Sequence, residues 1–112
     1  MAIHVLRSRA TVEQVREMLE TLDTYVKVVV DVESRILAGG GAMHADCEQV
    51  LMDQGSQQEN LWGANWYSDS GDVEFQSLIN IRPHQGNRSM IIQDSDLQRC
   101  VEAVISKVFG ES

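Results

Sequence analysis

Between Asn80 and Ser89 the chain reads NIRPHQGNRS, which holds two arginines, a histidine, a glutamine, two asparagines and the sole proline. Arg82 precedes Pro83 and is held extended. Gly86 and Asn87 both tolerate left-handed φ, so the chain can reverse there. A reversal brings Arg82 and Arg88 together with the Gly86 and Asn87 amides pointing into the gap. Two guanidiniums and two backbone N–H groups make an anion receptor for carboxylate or phosphate. The competing reading pairs the arginines with the chain's own carboxylates: Asp46, Glu48, Glu59 or Glu74.

A second cluster is MHADCE, residues 43–48. On a strand His44, Asp46 and Glu48 share a face; on a helix His44 and Glu48 do, at i and i+4. Mixed N/O ligands of this kind suit zinc or another divalent first-row metal, and His84 is a possible fourth. The segment lacks a specific metal signature, and a hydrogen-bonded structural histidine competes with the ligand reading. Cys47 lies between two carboxylates, which disfavours a thiolate nucleophile. Gly39–Gly41 has no following Lys-Ser/Thr, so it reads as a turn or bulge rather than a phosphate loop. Trp62 and Trp66 share a strand face with Ala64 between them. That face is core if helices cover it and a docking platform if they do not.

The composition narrows these chemistries. The chain has 112 residues, 43% apolar and 23% charged, which predicts one globular domain over residues 1–112 with a single core. The formal charge is −8, and that field disfavours nucleic acid and anionic membranes as partners. Two cysteines make no disulfide framework. Neither a signal peptide nor an apolar run of about 18 residues is present, so the expected setting is cytoplasmic.

The elements that must position these residues follow from patterning. Ile3–Leu6 reads as a strand. Thr11 and Gln14 have capping-box spacing ahead of an amphipathic helix that ends near Asp23. Val26, Val28, Val30 and Val32 alternate with Lys27, Asp31 and Glu33, with Val29 as the exception, which predicts an antiparallel strand with one wet side. Ile36–Ala38 follows. Residues 42–54 read as either a helical turn or an irregular strand, ending in a turn at Gly55. The run 60–67 and the run 73–82 predict a hairpin across SDSGD, with Val73, Phe75, Ile79 and Ile81 on one face and Pro83 as the stop. Ser95 and Gln98 have capping-box spacing for a last helix. Leu97, Cys100, Val101, Val104, Ile105, Val108 and Phe109 form its apolar stripe, Cys100 as a core thiol, and Gly110 is its C-terminal stop. The sum is an α+β fold: a mostly antiparallel sheet of four to six strands with two helices on one face.

The segments MHADCE (43–48), DQGSQQENLWGANWY (53–67) and SLINIRPHQGNRS (77–89) resemble signature segments of a small bacterial family, frequent in cyanobacteria, described as a domain of unknown function. The resemblance covers nearly the whole chain. It implies a stand-alone cytoplasmic domain, with no substrate, cofactor or catalytic residue to transfer.

Three functions are therefore on the table. The first is a small-ligand or anion-binding module using Arg82, His84, Gln85, Asn87 and Arg88 with His44, Glu59 and Asn60. The second is a homo-oligomerising or interaction domain using the tryptophan face or an edge strand. The third is a metal-dependent hydrolase at His44, Asp46 and Glu48, for which no nucleophile–base pair stands in a recognisable context.

Overall fold

The computed structural model describes residues 2–110. The valine run forms β2 (Tyr25–Asp31), the centre of a five-stranded antiparallel sheet. Around it lie β1 (His4–Leu6), β3 (Ile36–Gly39), β4 (Leu61–Tyr67) and β5 (Val73–Glu74), in the order β1-β3-β2-β4-β5. The helices are α1 (Val12–Leu19), α2 (His44–Asp53) and α3 (Ser95–Phe109). Fold class is as the patterning predicts. Helices α1 and α3 pack on one face, over Val26, Val28, Val30, Trp62, Ala64 and Trp66. Both tryptophans are core, and Trp66 stacks on Phe109 at 4.1 Å between ring centroids.

The second face departs from expectation. Residues 44–53 are helical, and Cys47 and Leu51 of α2 bury Val29, Ile36, Ala38 and Leu61. The side of β2 expected to be wet is thus covered, which explains Val29. Asp31 is buried as well, because it accepts from Glu33 N, Ser34 N and Ser56 Oγ.

At the helix ends, Thr11 and Gln14 form the expected capping box. The last helix is capped differently: Asp94 accepts from Asp96 N and Leu97 N, and Gln98 donates to Ile92 O instead. Cys100 is exposed, just outside the apolar stripe. Gly40, at φ 104°, turns the chain after β3 where a Cβ would collide with Ala2 O.

The largest correction concerns residues 73–82. The hairpin with its five-residue loop forms, but the strand ends at Glu74. Leu78–Asn80 is a 3₁₀ turn started by Ser77, whose hydroxyl accepts from Ile79 N. Val73 and Phe75 pack towards α1 and α3, Ile79 packs under α2, and Ile81 is exposed. A side chain takes over where the strand stops. Asn80, fully buried, accepts from Gly63 N (2.8 Å) and donates to Gly63 O (2.9 Å). Its carboxamide thereby supplies the ladder bonds that a strand would have made at this edge of β4. Gly63 permits the approach, since a Cβ there would lie 2.6 Å from Ser77 Cβ.

Candidate functional site

Two concavities lie on the α2 side, divided by Leu78 and Ile79, which line both. The first is a cleft of about 460 Å³ at the polar loop, lined by Glu48, Gln58, Glu59, Ile81, Arg82, His84 and Gln85. Arg82 is only 5% exposed and stacks over Trp62 at 4.7 Å. A guanidinium has five N–H donors, and here five acceptors of the same chain meet them. Nε donates to Ile79 O (3.0 Å), and Nη1 to Gln58 O (2.7 Å) and Gln85 Oε1 (3.3 Å). Nη2 donates to Leu61 O and to Glu48 Oε2, the latter at 3.4 Å. Burial lowers the Arg82 pKa and the Glu48 charge opposes that.

The rest of the loop is organised in the same way. The Gly86 and Asn87 amides do not point into a gap: they donate to Pro83 O and Arg82 O. Gly86 alone takes the left-handed turn, at φ 82°. Asn87 is buried and donates to Asn80 O (2.8 Å), Ser89 O and Ile91 O, while its Oδ1 accepts from Gln93 N. Gln85 is tied to Glu59 O. His84, Glu59 and Arg88 are exposed, and Asn60 is half-buried with its carbonyl accepting from Val32 N. The structure brings Arg82, Gln85 and Glu59 together; Arg82 is buried with its donors taken up by its own chain, while Arg88 is exposed.

The metal candidates separate too. His44 Nε2 donates to Ala64 O at 2.8 Å, while Glu48 turns to Arg82. Among the described residues no group of three His, Cys, Asp or Glu side chains is arranged to hold a metal ion. Burial raises the Cys47 thiol to about 11, with the Gly41 amide opposing and Asp46 adding to the effect.

The second concavity is a recess of about 370 Å³ at the start of α2, lined by Lys27, Met43, His44, Ala45, Asn65, Glu74, Gln76, Leu78 and Met90 among others. Strand register creates it. Lys27 of β2 pairs with Asn65 of β4, which pairs with Glu74 of β5, so the three stand in a row across the sheet. The first turn of α2 lies beside that row. Its cap position is Met43, which offers no side-chain acceptor, so the helix start has no side-chain cap; of its first amides, that of Asp46 donates to Met43 O. Lys27 has no carboxylate within ion-pair distance among the described residues. Asn65 is 7% exposed, and its Nδ2 donates to Glu74 Oε1 at 2.9 Å and Gln76 O at 3.5 Å, which fixes the amide orientation. Its Oδ1 is buried with no donor at hydrogen-bond geometry, although the Asn65 side chain lies near enough to the His44 ring to act on it. His44, neutral with its proton on Nε2, has its pKa lowered mainly by burial. The Ala64 bond opposes this, the Lys27 charge adds to it, and the Asn65 side chain opposes it.

Sequence patterning placed only His44 of this recess among the candidates. Lys27 and Asn65 each look ordinary alone, and only the register aligns them with Glu74. One signal was readable: no Ser, Thr, Asp or Asn stands ahead of His44 to cap the helix. Among the described residues no helix is long and apolar enough to cross a membrane. No curated protein and no solved structure matches the chain. Residues 4–108 match the family model for a protein of unknown function, DUF5674, and with nearly all of its length covered the chain belongs to that family.

Proposed function

We propose that this domain is a small-ligand-binding module whose site is the recess at the start of α2, and that the ligand carries a negative charge. The observation that carries this reading is a lysine without an ion partner beside an uncapped helix start, in a chain with a formal charge of −8. With that surplus of carboxylates, a recessed lysine is readily neutralised from within. Lys27 is not, and the start of α2, without a side-chain cap, carries partial positive charge in the same place. Binding rather than catalysis is favoured by the committed His44 Nε2 and by the suppressed Cys47 thiol.

The test is a thermal-shift series with small carboxylates and inorganic phosphate. A ligand at about 100 times its Kd adds about 2.7 kcal/mol. The shift is expected to vanish in Lys27→Met and persist in Arg88→Ala. A shift lost in Arg88→Ala but kept in Lys27→Met would return the site to the polar loop.

A second reading has one specific observation behind it. Met43, Leu78 and Ile81 are 55%, 66% and 44% exposed, and Leu78 lines the same recess as Met43 and the same cleft as Ile81. Such an apolar ridge suits contact with a second copy. It predicts a concentration-dependent mass by sedimentation that Leu78→Glu abolishes.

A further inference from the structure

The recess holds a negative group as well as a positive one, and the spacing of the two is informative. Neighbouring strands lie about 4.8 Å apart, so Lys27 and Glu74, on either side of Asn65, stand about 10 Å apart at their backbones. They do not form an ion pair. Asn65 and Tyr67 hold Glu74 in place: Asn65 Nδ2 and Tyr67 OH both donate to Oε1, at 2.9 and 3.2 Å. The other carboxylate oxygen, Oε2, takes no hydrogen bond among the described residues. Asn65 Oδ1, buried near His44 with no donor at hydrogen-bond geometry, is a second acceptor in the same wall. Cationic groups thus sit at one end of the row and acceptors at the other. The apolar side chains Met43, Leu78 and Met90 line the same recess as its rim residues.

We propose that the ligand is a zwitterion, an α-amino acid with an apolar side chain, bound with its carboxylate at Lys27 and the first turn of α2 and its ammonium at Glu74. This rests on the ligand-site reading above and narrows it. A plain carboxylate leaves Glu74 as an unanswered like charge in the recess, and a plain amine leaves Lys27 so. An amino acid answers both, and its side chain lies against the three rim residues. The recess is at the small end of the range for ligand pockets, about 300–1,000 Å³, which fits a single amino acid.

The test is titration calorimetry on the full chain with leucine and methionine, against 4-methylpentanoate, which lacks the amino group of leucine, and 3-methylbutylamine, which lacks its carboxylate. The amino acids are expected to bind at least ten-fold tighter than either truncated compound. Glu74→Gln keeps the acceptor for Asn65 and Tyr67 while removing the charge. It should erase the preference for leucine over the acid. Lys27→Met should erase the preference over the amine. Unfolding midpoints of both variants verify that the fold persists, and Lys27→Arg, which keeps the charge, should retain binding. If 4-methylpentanoate binds as tightly as leucine and Lys27→Met abolishes both, the zwitterion is wrong and the anion site stands. If only the amine binds, both readings fall. If neither amino acid binds, the zwitterion is wrong, and the carboxylate series decides the anion site separately.

Discussion

The two concavities on the α2 side make opposite use of polar groups. The cleft at the loop has the denser sequence, but its central cation has spent every donor on its own chain. The recess at the start of α2 has an ordinary sequence, yet leaves an amine without an ion partner, a helix start without a side-chain cap and a buried amide oxygen without a donor at hydrogen-bond geometry. A concentration of polar residues marks a place where the backbone needs help. Unmet hydrogen-bonding capacity marks a place where a partner from outside the chain can be accommodated. In the loop, Asn80 and Arg82 close the edge of β4 at Gly63 and Leu61, which would otherwise offer unpaired groups to another strand.

If the loop is structural, its removal must register as lost stability. Arg82→Ala leaves the half-buried Glu48 without a counter-charge and the carbonyls of Leu61, Gln58 and Ile79 without their donor, and is expected to cost about 3 kcal/mol or more. Chemical denaturation measures it, and Arg82→Lys should not rescue, because an ammonium cannot reach five acceptors in a plane. A change below 1 kcal/mol would break the contrast by making Arg82 available to a ligand. Asn80→Ala comes next. It strands Gly63 N–H and C=O at the strand edge, at about 2–3 kcal/mol for the buried groups left unpaired. Hydrogen exchange at Gly63 should accelerate in that variant, and unchanged protection would refute the edge-closing role.

The recess is sharpened by pH. Burial keeps native His44 neutral, below its ordinary value of 6.5. As pH falls through that value the unfolded chain takes up a proton that the native chain declines, so this contribution to stability is present above it and is lost below it. The stability gap between the wild type and His44→Gln is therefore expected to narrow as pH drops from about 8 to about 5.5. A constant gap would show that His44 does not stay neutral in the fold. The smallest effect is reserved for Arg88→Ala. Its side chain is exposed and no carboxylate of the described residues pairs with it, so the change should stay within about 0.5 kcal/mol.

Local chemistry made much of the fold readable. The Thr11–Gln14 box, the alternating valines of β2, the apolar stripe of α3 and the turns at Gly55 and Gly86 each follow from a few adjacent residues. Readings failed where distant partners decide. Residues 73–82 alternate well enough for a strand, but the edge of β4 is taken by the Asn80 side chain. Asp31 looked solvent-facing because nothing nearby announces that α2 and Ser56 lie over it. Cys100 falls at the margin of its stripe, where a small rotation of the helix decides burial.

By itself, then, the sequence determined the first four strands, the first and last helices, the Thr11 capping box and the net charge, because these depend on spacings of four residues or fewer and on composition. Only the tertiary structure decided which polar groups are spent. Arg82 is satisfied by carbonyls 21 and 24 residues away in the chain, whereas Lys27, Asn65 and Glu74 become neighbours through strand register alone. Hydrogen-bond satisfaction is a property of three-dimensional proximity, and proximity of this kind has no local signature.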